Sequence, residues 1–177
     1  MIIGKKVTNV TKSNTLIHSL KYWDSVIAEV SEHYQDVKLE KMYIDNASAN
    51  FILHPEYFDV ILTTNLFGDI LSDLGGGIMG SLGLGGSGNI NPEGDFPSMF
   101  EPIHGSAPDI AGMGIANPVG TIWSGALLLE NLGEKEAATQ IVQAIETVFE
   151  EGVKTIDLGG SAKTDEFADR VIQALNR

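Results

Sequence analysis

Phe58-Asp-Val-Ile-Leu-Thr63, followed directly by Asn65-Leu-Phe-Gly-Asp69-Ile-Leu-Ser-Asp73, decides the class of this fold. The first segment is short, apolar and β-branched, the pattern of a strand in a buried parallel sheet. The second carries apolar residues at helical spacing. If it is helical, Asp69 and Asp73 lie on one face, one turn apart. Two carboxylates so close repel unless a cation sits between them, and a divalent ion with oxygen ligands would resolve the conflict. The other reading is an N-terminal helix aspartate, Asp69, and an exposed one, Asp73, which motif matching alone does not exclude.

Upstream, the same alternation repeats. Lys5 to Thr11 reads as a strand, Thr15 to Tyr34 as a helix, Val37 to Ile44 as a strand, and Asp45 to Leu53 as a helix stopped near Pro55. Strands alternating with helices mean an α/β fold with a parallel sheet.

Downstream, two stretches match a dinucleotide-binding glycine pattern: Gly75-Gly-Gly77-Ile-Met-Gly80 and Gly83-Leu-Gly85-Gly-Ser-Gly88. That fingerprint needs a strand before it and a helix after it. The first follows a helix and the second runs into turn residues at Asn89 to Asp95. Both are instead expected to form a flexible, closely packed crossing between two lobes. Residues 85–118 read as loop, with Glu101, His104, Ser106, Asp109 and Asn117 as polar groups suited to ligand recognition or to local capping. Thr121 to Leu132 and Glu134 to Glu150 read as helices and 155–158 as a short strand. Thr164 is the expected N-cap of a last helix.

Composition limits the chemistry. The 177 residues are enough for a good-sized domain, and cysteine is absent, which excludes disulfides and thiolate metal sites. The net charge of −13, from 11 basic and 24 acidic residues, argues against a nucleic-acid partner. No apolar run has membrane-span length, and Met1-Ile-Ile-Gly-Lys-Lys6 has no signal-peptide core, so a cytoplasmic protein is expected. Arginine, the usual clamp for small polyanions, occurs only as Arg170 and Arg177.

Thr11-Lys-Ser-Asn14, Asp45, Asn65 to Asp73, His104-Gly-Ser-Ala-Pro-Asp-Ile110 and Gly114-Ile-Ala-Asn-Pro118 together resemble the isocitrate/isopropylmalate dehydrogenase family of oxidative decarboxylases. Tyr22-Trp-Asp24 and Asn91 to Pro102 look most like its tartrate/D-malate branch. The resemblance implies an isopropylmalate-dehydrogenase-like two-lobe α/β fold, present only as its C-terminal half. Residues 1–79 would be the remainder of the substrate and dimerisation lobe, and 80–177 the returning part of the NAD lobe.

The resemblance also implies roles. Lys12 looks like the catalytic lysine that takes the substrate hydroxyl proton, and Asp45 like a catalytic carboxylate shared with the metal. Asp45, Asp69 and Asp73 look like the ligands of Mg2+ or Mn2+. Asn14 and Glu101 look like contacts near the nicotinamide. His104, Gly105, Ser106 and Ala107 look like adenine and phosphate contacts, and Asn117 like an adenine contact. Asp109, followed by Ile110, looks like the acceptor for the adenosine ribose hydroxyls. An acidic group there favours NAD, since it repels the 2′-phosphate of NADP. Met113 departs from the family pattern, which has lysine.

In the family, the lysine and the Asp45-type residue reach into the partner subunit's site, so a homodimer with shared sites is implied. The implied reaction is oxidation and decarboxylation of a malate-like hydroxy-dicarboxylate. The family's arginine trio and tyrosine acid lie outside the matched half, and loss of an acid alone costs about 10²–10⁴ in rate. An impaired enzyme is the expectation. The alternatives are a 3-isopropylmalate dehydrogenase fragment or a non-catalytic oligomeric remnant.

Overall fold

The computed structural model describes residues 5–177. They form two compact units, one ending at Gly75 and the other comprising Gly76–Arg177.

The first unit is a parallel α/β layer. Strands β1 (Lys6–Thr11), β2 (Lys38–Tyr43) and β3 (Val60–Thr63) pair in the order β2-β1-β3, every pair parallel. Helix α1 (Ser19–Ser31) connects β1 to β2, and α2 (Ile44–Leu53) leads towards β3. Val10 on the central strand, Ala47 on α2 and Leu71 on α3 (Asn65–Met79) form the buried core, with Phe51, Ile61 and Leu74 against them. Burial of such side chains contributes about 1.5–3 kcal/mol each.

The second unit begins with a hairpin, β4 (Gly86–Asn89) antiparallel to β5 (Met99–Pro102). Helices α4 (Val119–Asn131), α5 (Lys135–Glu150) and α6 (Thr164–Leu175) follow. Val119, Ile145, Val148, Phe167 and Val171 make their shared core, with the Phe149 and Phe167 rings 5.3 Å apart.

Several expectations are corrected. Helix α1 starts at Ser19 rather than Thr15, because the amides of Thr15 and Leu16 both bond the Lys12 carbonyl and close a turn first. Strand β3 is parallel but sits at a sheet edge, so it is only half-buried. Gly75 to Gly77, where the division between the two units falls, continue helix α3, so the segment is helical rather than flexible. A Cβ on Gly76 would lie 2.8 Å from Leu82 Cδ2, so glycine there serves close packing.

Residues 85–118 contain the β4–β5 hairpin, hidden in sequence by glycine's poor strand propensity. Gly86 is required by helix α4, which lies on the hairpin, and Gly88 by the Phe100 ring. A Cβ on Gly120 would come 2.7 Å from the Gly85 carbonyl oxygen. Residues Ile156–Leu158 form a 3-10 turn, and only Thr155 makes a β-bridge, to Ala162. Thr164 is the first residue of α6 and not its N-cap. The cap is Lys163, whose amide donates to Glu166 Oε2 at 2.9 Å.

Candidate functional site

In an open parallel sheet, ligands sit beyond the carboxyl ends of the strands where the order reverses. Strand β1 is flanked by its two successors, and the carboxyl ends of all three strands carry candidate residues. Lys12 and Asn14 follow β1, Asp45 lies in the first turn of α2 just after β2, and Asn65 opens α3 just after β3.

Lys12 Nζ donates to Asp45 Oδ1 at 2.5 Å. The hydrogen bond from Lys12, with a backbone contribution, holds the Asp45 carboxyl below its ordinary range. Asp45 is otherwise open to solvent, with its side chain 67% exposed. The turn that carries Lys12 is well anchored. Asn9, buried inside β1, donates to Asp24 Oδ1 at 3.0 Å and accepts from Trp23 Nε1 at 2.9 Å. Lys41 Nζ reaches Asp24 Oδ2 at 2.6 Å. Burial pushes the Asp24 carboxyl up, but the Lys41 ammonium, the Asn9 amide and the nearby Ser13 and Thr11 hydroxyls outweigh it and lower its pKa below the ordinary value. Asn14 is exposed at the end of the turn.

Asp69 and Asp73 project from the exposed side of α3, opposite the buried Phe67 and Leu71. Asp69 accepts a long bond, 3.4 Å, from Asn65 Nδ2. Among the described residues, no three His, Asp or Glu side chains gather where they could hold a metal ion. Asp45 is therefore not assembled with Asp69 and Asp73 within one chain. It is engaged with Lys12, on a different helix. The pair on α3 has the hard-oxygen chemistry that Mg2+ or Mn2+ takes, but offers only two carboxylates.

The second unit contains a cavity of ≈ 740 Å³. Residues 81–83, 104–107, 110–112 and 114–117 line it, with Asp157 and Thr164. Of the sequence-derived residues, His104, Gly105, Ser106, Ala107, Ile110 and Asn117 are brought together here. Asp109 is exposed on the turn between the lining residues Ala107 and Ile110, and Glu101 stands on β5; neither lines the cavity. The loop has an unusual backbone. Ala107 has φ 39°, and Gly112 and Gly114 have φ 78° and 65°. The left-handed region costs a non-glycine residue about 1–3 kcal/mol, so the surroundings must hold Ala107 in place.

Ser81, Asp157 and Thr164, none of them expected at a site, hold the cavity together with Asn117. Asn117 Nδ2 donates to Asp157 Oδ2 at 3.0 Å, while Asn117 Oδ1 accepts from the Val119 amide at 3.0 Å and caps α4. Ser81 Oγ donates to the same Asp157 oxygen. Burial raises the Asp157 carboxyl, but the bonds from Ser81 and Asn117, with the Thr155 hydroxyl nearby, bring it below its ordinary value. Thr164 Oγ1 donates to the Ala116 carbonyl at 2.6 Å, and its amide bonds the Gly114 carbonyl at 3.0 Å. Gly83 allows Asn117 close approach, since a Cβ there would meet the Asn117 Cβ at 2.7 Å. Asp157 is far from Ser81 and Asn117 in sequence, so no local motif pointed to it.

The isocitrate/isopropylmalate dehydrogenase family model matches residues 3–171. The probable tartrate dehydrogenase/decarboxylase of Bacillus subtilis (strain 168) is 46% identical over 171 residues, which are 97% of this chain and 48% of that protein. The D-malate dehydrogenase (decarboxylating) of Escherichia coli (strain K12) is 47% identical, over 98% of this chain and 49% of that protein. The 3-isopropylmalate dehydrogenase of Thermobifida fusca (strain YX) is 48% identical over 95% of this chain and 47% of its own length. The crystal structure of isocitrate dehydrogenase from Methylococcus capsulatus superposes with a TM-score of 0.90 at 39% identity, covering 97% of this chain and 51% of that one. The chain thus spans about half the length of the curated relatives it matches.

Proposed function

Because the chain belongs to the isocitrate/isopropylmalate dehydrogenase family, we propose that it contributes to metal- and NAD-dependent oxidative decarboxylation of a malate-like 2-hydroxy acid, tartrate or D-malate. The observation that carries this reading is the cavity bounded by His104 to Ala107 and Asn117, a polar-rimmed concavity in the family's cofactor loop. In this reading the cavity holds the adenosine end of NAD. Asn117, its amide fixed between Asp157 and the Val119 amide, presents a set orientation to the base. Asp109 on the neighbouring turn accepts from the ribose hydroxyls and disfavours a 2′-phosphate.

In the first unit, Lys12 Nζ takes the substrate hydroxyl proton, and Asp45 orients it through their hydrogen bond. In this reading Asn14, at the end of the same turn, is a cofactor contact of the first unit, and Glu101 one of the second. Asp69 and Asp73, joined by Asp45 of the partner subunit, hold Mg2+ or Mn2+ in the assembled enzyme. Bound NAD supplies the hydride acceptor, and the bound cation a Lewis acid for the substrate oxygens. The homodimer is supported by a run of exposed apolar residues on α2 and α3: Ile52, Leu53, Leu66 and Ile70. Residues 1–79 would then belong to the substrate and dimerisation lobe and 80–177 to the NAD lobe. No helix among the described residues is long and apolar enough to cross a membrane, and a cytoplasmic location fits this chemistry.

A second reading, a non-catalytic oligomeric remnant, is favoured by one observation. Arg170 and Arg177, the only arginines, both bond Glu151, at 2.5 and 2.6 Å. Neither is free to grip a substrate carboxylate, so the 177-residue chain alone should turn over little or no substrate.

The test is titration of the purified chain with NADH by fluorescence and with Mn2+ by calorimetry, beside Asn117→Ala and Asp69→Asn. NADH binding weakened by about tenfold or more in Asn117→Ala, and Mn2+ binding weakened in Asp69→Asn, are the expected results. Absence of NADH binding to the parent chain would overturn the cofactor assignment. Rapid Mn2+-dependent NAD reduction with D-malate or tartrate would overturn the impairment.

A further inference from the structure

Strand β1 ends its ladder at Thr11, which stands opposite Tyr43 on β2. Lys12 is the first residue past that ladder, so strand pairing does not fix it. The turn it opens closes locally, the amides of Thr15 and Leu16 bonding its carbonyl. Its two neighbours in sequence, Thr11 and Ser13, are 0% and 3% exposed. Both of their hydroxyls lie near one carboxylate, that of Asp24 on α1.

Asp24 gathers more than this turn. Its Oδ1 accepts from Asn9 Nδ2 of β1 at 3.0 Å, and Lys41 Nζ of β2 lies 2.6 Å from its Oδ2. Lys41 stands opposite Asn9 in the ladder and leads, along β2, to Asp45. One carboxylate therefore ties together the two strands whose ends carry Lys12 and Asp45, and the turn that follows the first of them. The Asp24 side chain is only 15% exposed. Desolvation at that depth offsets much of what an ion pair returns, so the charge is a poor stabiliser. What it supplies is direction, because a polar network with partners on several elements specifies one arrangement.

We propose that Asp24 is a positioning residue for Lys12: it holds the turn from Thr11 to Ser13 against β2 and so sets where the Lys12 ammonium meets Asp45. The catalytic meaning of that position rests on Lys12 as acceptor of the substrate hydroxyl proton. The position itself does not.

The experiment acetylates the purified 177-residue chain briefly with N-acetoxysuccinimide at fixed pH and reads each lysine by peptide mass spectrometry. In the parent, the Asp45 carboxylate 2.5 Å away shields Lys12. Asp24→Asn should raise the Lys12 rate by about threefold or more, the size expected for release of one solvent-accessible ion pair. Asp45→Asn should do the same, and the double variant should add nothing, since both act through one contact. Ser13→Ala, the milder change, should also raise the rate, and it decides the matter if Asp24→Asn fails to fold. Ser25→Ala, an exposed α1 hydroxyl bonded to the Tyr22 carbonyl, should react as the parent does. Lys38, paired with Glu40, is the internal reference and should not move. An unchanged Lys12 rate in both Asp24→Asn and Ser13→Ala, fully additive effects of Asp24→Asn and Asp45→Asn, or a matching rise at Lys38, the mark of general loosening, would overturn the proposal. No substrate, NAD or metal is present, so failure here would leave the proton-acceptor reading of Lys12 untouched.

Discussion

The Lys12 ammonium donates to the Asp45 carboxylate at 2.5 Å and joins the carboxyl ends of two adjacent parallel strands. The pair is solvent-accessible on the Asp45 side, where ion pairs contribute little to folding. Asp45→Asn and Lys12→Met should therefore leave the thermal unfolding midpoint nearly unchanged. A fall of more than about 10 °C in either variant would make the pair a structural clamp.

Asn9 presents the opposite case. It is 3% exposed and satisfies two half-buried partners, the Trp23 indole N–H and the Asp24 carboxylate. Asn9→Ala strands both, and an unsatisfied buried polar group costs about 1–3 kcal/mol. Urea unfolding followed through Trp23 fluorescence should show that loss. A variant as stable as the parent would mean that water replaces the amide.

Two glycines on one helix should respond in opposite directions. Gly120→Ala forces a Cβ to within 2.7 Å of the Gly85 carbonyl oxygen and should cost about 1–3 kcal/mol. Gly125 has nothing within 4 Å of the same position, so Gly125→Ala in mid-helix should stabilise by about 0.5–1 kcal/mol. Calorimetric melting of the two variants decides it, and equal effects would refute the close helix–hairpin approach.

The Asp157 hub predicts a pH dependence. Its carboxyl titrates below the ordinary value in the folded chain, since Ser81, Thr155 and Asn117 outweigh its burial. A depressed folded pKa stabilises above the unfolded value, about 3.9, and the gain disappears as pH falls through the lower folded value. The parent should exceed Asp157→Asn in stability at neutral pH, and the difference should close below about pH 4. Denaturant midpoints measured between pH 7 and pH 3 test this. A gap that widened on acidification would contradict the hub.

Consecutive residues alone determined a large share of this molecule. The β-branched run 58–63, the amphipathic run 65–73 and the alternation before them specify a parallel α/β unit, because side-chain period is a local property. Lys12, Asp45 and the 104–117 loop could be singled out as candidates for the same reason: each is a short motif at the end of an element. What tertiary structure decided lies across long separations. Asp157 matters only because the chain returns it to Ser81 and Asn117. Gly85, Gly86 and Gly88 read as loop, yet they form and border a strand in which Ile103, helix α4 and the Phe100 ring respectively leave no room for a side chain. The two arginines became unavailable only when folding set both against Glu151. Propensity acts between neighbours in sequence, whereas a hydrogen-bond partner, a steric limit or an open edge depends on which distant segment topology brings alongside.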